Sequence, residues 1–168
     1  MKTFVLVLFG FPVFSLAQSF PEDWLGTFYG KMKVASRSSE QIIDVSLSIK
    51  PIEKDSSWTY NMKYNAPSGK IEKNYSIRKG TNGKYTLDEG GILIPMLFSN
   101  DCFYDYYVLD SMYFCSILSY RRKGFLEFNL YGGSKKINNQ SKSCQDGTTV
   151  YAYLPSFSQR VVLKRRKK

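Results

Sequence analysis

The strongest constraint on this chain is a two-residue alternation of apolar and polar side chains, repeated from segment to segment with almost no helical spacing. Ile43, Val45, Leu47 and Ile49 fall on one face of a run whose other face carries Asp44, Ser46, Ser48 and Lys50. Trp58, Tyr60, Met62 and Tyr64 alternate with Thr59, Asn61 and Lys63, and Ile71, Tyr75 and Ile77 oppose Glu72, Asn74, Ser76 and Arg78. Successive side chains of a strand point to opposite sides, so this pattern predicts strands with one buried face. A slip of one residue would turn each set inside out, which fixes the register.

Turn chemistry falls between these runs, at Ala66-Pro67-Ser68-Gly69, Gly80-Thr81-Asn82-Gly83 and Glu89-Gly90-Gly91. Tyr85 to Leu87 then reads as a short strand, and Ile92 to Phe98 as a more fully buried one. Cys102 to Leu109 and Met112 to Tyr120 form a hairpin about Asp110-Ser111, followed by Gly124 to Tyr131. The polar stretch from Gly132 to Gly147 is expected to be a long loop. Thr148 to Leu154 and Ser158 to Lys164 close the chain. About ten short strands joined by hairpin links predict an all-β fold, an antiparallel up-and-down barrel that removes its sheet edges by closing on itself.

The chain has 168 residues, 43% hydrophobic and 16% aromatic, enough for a single domain with a sizeable core. Lys2, the apolar run Phe4 to Phe9 and the small residues Ser15 and Ala17 have the form of an export signal, with cleavage after Ala17 and a single domain over 18–168. The mature chain is then expected to be secreted or periplasmic, with no transmembrane segment. Net charge is +10, concentrated at Lys164-Arg165-Arg166-Lys167-Lys168 and at Arg121-Arg122-Lys123. These clusters are either a solvated tail and turn or an attraction to an anionic surface. No nucleic-acid motif accompanies them.

Export permits a disulfide, but Cys102, Cys115 and Cys144 are odd in number and their spacing leaves the pair open. A Cys102–Cys115 bridge would staple neighbouring strands. The chain has no His, which removes imidazole ligation and the commonest general base. Three scattered Cys do not make a zinc site. Neither a catalytic constellation nor a cofactor is expected.

The densest aromatic segment is Phe103-Tyr104-Asp105-Tyr106-Tyr107, followed by Tyr113-Phe114. Trp58, Tyr60, Tyr64, Tyr104 and Tyr106 are the candidate lining of an interior pocket that stacks on a ligand and offers it hydroxyls. The same rings would equally fill a narrow barrel by themselves. Asp101 and Asp105 share a strand face and Asp110 lies at the turn; all three are expected on the outer surface.

The first strand, Trp24-Leu25-Gly26-Thr27-Phe28-Tyr29-Gly30, resembles the opening of lipocalin-type barrels, where Gly-x-Trp begins the sheet; here Phe28 stands in place of Trp. The closing run Gln159-Arg160-Val161-Val162-Leu163-Lys164-Arg165 is similar to the last strand of exported bacterial lipocalin-like proteins. The resemblance implies barrel closure around Gly26 and Phe28, with a basic residue packed across the first-strand aromatic: Arg160, or Arg165 in second place. It also implies a binder of a small hydrophobic or amphipathic molecule. The competing expectation is an envelope interaction module with a self-filled barrel and a basic surface for anionic partners.

Overall fold

The structure is a computed structural model that describes residues 20–166. The proposed leader, 1–17, and the last two lysines of the basic tail lie outside the described residues. After a short 3-10 helix, Glu22–Trp24, the chain forms twelve strands: β1 Gly26–Ser36, β2 Glu40–Glu53, β3 Ser57–Ala66, β4 Gly69–Lys79, β5 Tyr85–Glu89, β6 Ile92–Ser99, β7 Cys102–Leu109, β8 Met112–Arg122, β9 Phe125–Ser134, β10 Asn139–Lys142, β11 Thr149–Ala152 and β12 Pro155–Arg165. Ten of them close an antiparallel barrel in the order β1-β12-β9-β8-β7-β6-β5-β4-β3-β2. No helix among the described residues is long and apolar enough to cross a membrane.

Two sequence expectations need correction here. The stretch 132–147 is not one loop: β9 runs on to Ser134, and β10 and β11 pair as a separate small hairpin. That hairpin has no buried face: all eight of its strand residues are exposed, Val150 and Tyr151 included. Nor is β6 buried on both sides, since Ile94 and Met96 face the core while Ile92, Leu93 and Leu97 are exposed. A continuous apolar run cannot report which of its faces meets solvent, and here the outer wall is left bare.

The inner face of each strand supplies the core. Phe28 and Met32 of β1, Leu47 and Ile49 of β2, Trp58 and Met62 of β3, Ile77 of β4, Phe103 of β7, Leu126 of β9 and Leu163 of β12 are almost wholly buried. Outside, opposite charges meet across strands, as in Lys31–Asp44 at 2.9 Å and Lys63–Glu72 at 3.0 Å.

The lower end is sealed by the chain's own N-terminal approach. Phe20 sets its ring against Trp58 at 4.8 Å and Phe103 at 4.9 Å, and Trp24 packs edge-on to Phe103 at 5.5 Å. Tyr85 and Phe98 complete this aromatic floor. Edge-to-face packing lets the positive ring edge meet the negative ring face, so the cluster gains beyond its buried area.

Candidate functional site

The site is the barrel lumen above that floor. Exposure of inward-facing residues is graded along the barrel axis. At floor level Trp24, Phe28, Trp58 and Phe103 are almost wholly enclosed and Phe98 partly so, whereas Val34, Tyr64, Lys73, Glu89, Tyr107, Phe114 and Leu130, nearer the opposite end, are all only half-buried although they point inward. That end is therefore the more accessible to solvent, and the floor the better sealed.

The strand register corrects the sequence reading of β7. Phe103 and Asp105 face inward with Tyr107, so Tyr104 and Tyr106 face outward; Tyr106 is 64% exposed. With Leu93, Leu97 and Val108 they belong to the bare outer wall, and they do not line the lumen. The cause is that nearly every residue of 103–108 is apolar or aromatic, so alternation could not choose the inner set; its one charge, Asp105, suggested the wrong one. Asp105 is thus not the surface carboxylate expected but only 6% exposed.

The other predicted residues divide by depth. Trp58 is part of the floor, in contact with Phe20. Tyr60 sits above it, buried, with Tyr75 of β4 beside it at 6.1 Å between ring centres. Tyr64 stands higher, half-buried. Tyr75 lies outside the predicted set, as do two further inward aromatics, Tyr107 and the Phe114 of β8 on which it stacks at 5.2 Å.

Asp105 receives a hydrogen bond on Oδ2 from the Ser116 hydroxyl at 2.6 Å. Its Oδ1 is buried and has no partner among the described residues. Burial pushes the Asp105 carboxyl up, and its bonds from Ser116 only partly offset this. Burial also raises the Tyr60 phenol well above its ordinary value, with Tyr64 and Asp105 adding to the effect. Tyr64 is pushed up to about 12, again by burial first and then by Tyr107. Tyr75 and Tyr107 rise for the same reason, with the Glu89 carboxylate contributing to both. All four phenols therefore stay protonated at neutral pH, as donors. The nearest inward charges, Lys73 and Glu89, pair with each other at 3.3 Å.

Barrel closure follows the resemblance in kind but not at the first-named residue. Arg165 pairs in register with Phe28, holds its guanidinium 5.0 Å from the ring centre, and donates to the Asp23 carbonyl. Gly26, at φ +129°, lies against it: a Cβ there would come within 3.4 Å of Arg165 Nε. Arg160 instead points outward, where it bonds Glu127 Oε1 at 2.9 Å beside Arg121. Alternation explains the exchange, because Val161, Leu163 and Arg165 share the inner face while Arg160, Val162 and Lys164 take the outer.

All three cysteines are free. Cys102 is registered with Ser119 and Cys115 with Tyr106, four positions apart on the same ladder, or about 13 Å at strand rise. That separation excludes the Cys102–Cys115 staple in this fold. Two surface depressions lie outside the lumen: one of about 350 Å³ includes Lys31, Asp44 and Ser46, and another of about 660 Å³ lies between Tyr29 and Lys164 to Arg166.

A closed ten-strand antiparallel barrel with an aromatic floor and an arginine under the first strand is a lipocalin-like, calycin-type fold. Among solved structures the chain is similar to the S-type phycobiliprotein lyase CPES from Guillardia theta, with TM-score 0.61 and 10% identity over 88% of this chain and 90% of that one. It is also similar to a protein of unknown function of the DUF3598 family from Nostoc punctiforme, with TM-score 0.57 and 11% identity over 86% of this chain but 48% of that one. At such identities the likeness is one of fold. No protein-family model matches the chain, and no curated protein matches it in sequence.

Proposed function

We propose that the protein binds a small hydrophobic or amphipathic molecule in the barrel lumen, as a carrier and not as a catalyst. The observation that carries this reading is the gradient of exposure, from a sealed aromatic floor to half-buried inward rings at the mouth. A ligand entering there would bury apolar surface against Tyr64, Tyr107, Phe114 and Leu130, at about 25 cal/mol per Å² removed from water. Protonated tyrosine hydroxyls would fix its orientation.

The test is titration with N-phenyl-1-naphthylamine, a neutral dye that brightens in apolar surroundings. Saturable one-to-one enhancement, retained in Arg166→Ser at the outer depression and weakened in Tyr64→Ala, supports lumen binding. No enhancement, or enhancement lost only in Arg166→Ser, overturns it. Native mass spectrometry of the protein from its own source then weighs whatever ligand is retained.

Export after Ala17 belongs to the same reading. An intact mass beginning at Gln18, from protein recovered outside the cytoplasm, tests it; a retained Met1 overturns it.

One observation favours a second role for the outside. The turn carrying Arg121-Arg122-Lys123 and the C-terminal Lys164-Arg165-Arg166, far apart in sequence, meet at the barrel floor, where Arg165 N–H donates to the Gly124 carbonyl at 2.8 Å. A single basic end of this kind suits an anionic surface. Sedimentation with anionic vesicles that falls with salt and weakens in Arg122→Ser/Lys123→Ser, which leaves the Arg165 closure intact, is the expected result.

A further inference from the structure

We propose that Asp105 is the polar anchor of the lumen, and that it selects ligands bearing a protonated amine on an apolar body over ligands with a carboxylate head. The inference rests on the lumen-binding reading and deepens it.

Oδ1 of Asp105 is enclosed and accepts nothing among the described residues, while Oδ2 accepts only from Ser116. A buried carboxylate commonly gathers several donors or a cation, because leaving it unpaired costs its full desolvation. Here no such partner is supplied by the wall. Lys73, the inward ammonium on β4, is held at the mouth by Glu89, so the pair is neutral and Asp105 is the inward acid of the upper lumen that has no cationic partner among the described residues.

The surroundings point the same way. Asp105 lies on β7 and Tyr60 on β3, four strands away around a ten-strand ring, so the two face each other across the lumen. They are close enough that the carboxylate's charge raises the phenols of Tyr60 and Tyr107. Tyr60, Tyr64, Tyr75 and Tyr107 present rings to the same space, and ring faces attract cations. A ligand ammonium would donate to Oδ1, neutralise the carboxylate and sit among aromatic faces. A ligand carboxylate would meet the Asp105 and Glu89 carboxyl groups, with no free cation among the described residues of the lumen. Charge-assisted hydrogen bonds are about twice as strong as neutral ones, which sets the sign and scale of the selection.

The test compares three probes of one chain length, octylammonium, octanol and octanoate, as competitors of N-phenyl-1-naphthylamine at neutral pH. Wild type is expected to bind octylammonium about tenfold or more tighter than octanol, the step that one charge-assisted bond supports, and octanoate weakest. In Asp105→Asn the ammonium-to-octanol ratio should fall close to one. Equal affinity for ammonium and octanol in wild type overturns the anchor role while lumen binding stands, as does a preference that survives Asp105→Asn. If none of the three displaces the dye in wild type, the proposal fails; if the dye itself does not bind, the lumen reading fails with it. Should Asp105→Asn not fold, the wild-type ranking alone decides.

Discussion

At the scale of single residues, the floor of the barrel depends on a pair the chain brings together from its two ends. Phe28 is fully enclosed, and the Arg165 guanidinium covers its ring as it reaches the Asp23 carbonyl. Phe28→Ala should therefore cost about 3–5 kcal/mol, the range for deleting a buried ring, read as a shifted denaturant midpoint. An unchanged midpoint would contradict its place in the floor. The two arginines of the last strand should separate in the same assay. Arg165→Ala loses a partly desolvated cation–π contact, worth up to about 2 kcal/mol, together with a hydrogen bond. Arg160→Ala should cost under about 1 kcal/mol: its side chain is two-thirds exposed, and Arg121 still holds Glu127. Equal losses would count against assigning closure to Arg165.

At the scale of elements, the seam between first and last strands is a tight fit. A Cβ on Gly30 would stand 2.5 Å from Val161 Cγ2 and 2.5 Å from the Val162 carbonyl oxygen. The second neighbour is backbone and cannot rotate away, so Gly30→Ala must spread β1 from β12. The expected penalty is about 1–3 kcal/mol, with faster amide exchange confined first to 159–163. Uniform exchange across all strands would refute a local seam effect. The sequence carried much of this architecture, because alternation in β2, β3 and β4 needs only period two to name the inner face, and the Trp24-to-Gly30 run marks the seam. It was least legible in β6 and β7. There Leu93, Leu97, Tyr104 and Tyr106 are apolar yet outward, and Asp105 is charged yet inward, so hydrophobicity pointed to the wrong side. Only closure of the ring, which sets each strand's register through its neighbours, decides such positions. The inward charge of β7, which hydrophobicity placed outside, is also the residue on which the proposed ligand selection turns.

At the scale of the whole molecule, two buried carboxylates act on stability in opposite directions. Glu127, outside, would be raised by burial, but the hydrogen bonds and charges of Arg121 and Arg160 outweigh this and hold its carboxyl below 4.5. It binds fewer protons folded than unfolded, so its contribution is complete above pH 4.5 and is lost as pH falls through the lowered value. Asp105, inside, is raised above 3.8. It binds more protons folded than unfolded between 3.8 and its raised value, so it lowers stability as pH rises through that window and the deficit persists at neutral pH. Asp105→Asn removes only the second effect. Its melting temperature should therefore exceed wild type at pH 7, and the difference should shrink as the pH is lowered towards 3.8, while both proteins share the acid decline set by Glu127. Saturating octylammonium should narrow the same gap at pH 7 by neutralising the carboxylate from the lumen side, since a ligand that binds only the folded state stabilises it by mass action. A variant that melts below wild type across pH 4–8 would mean that Asp105 is held by compensating contacts, and the uncompensated lumen charge would not exist.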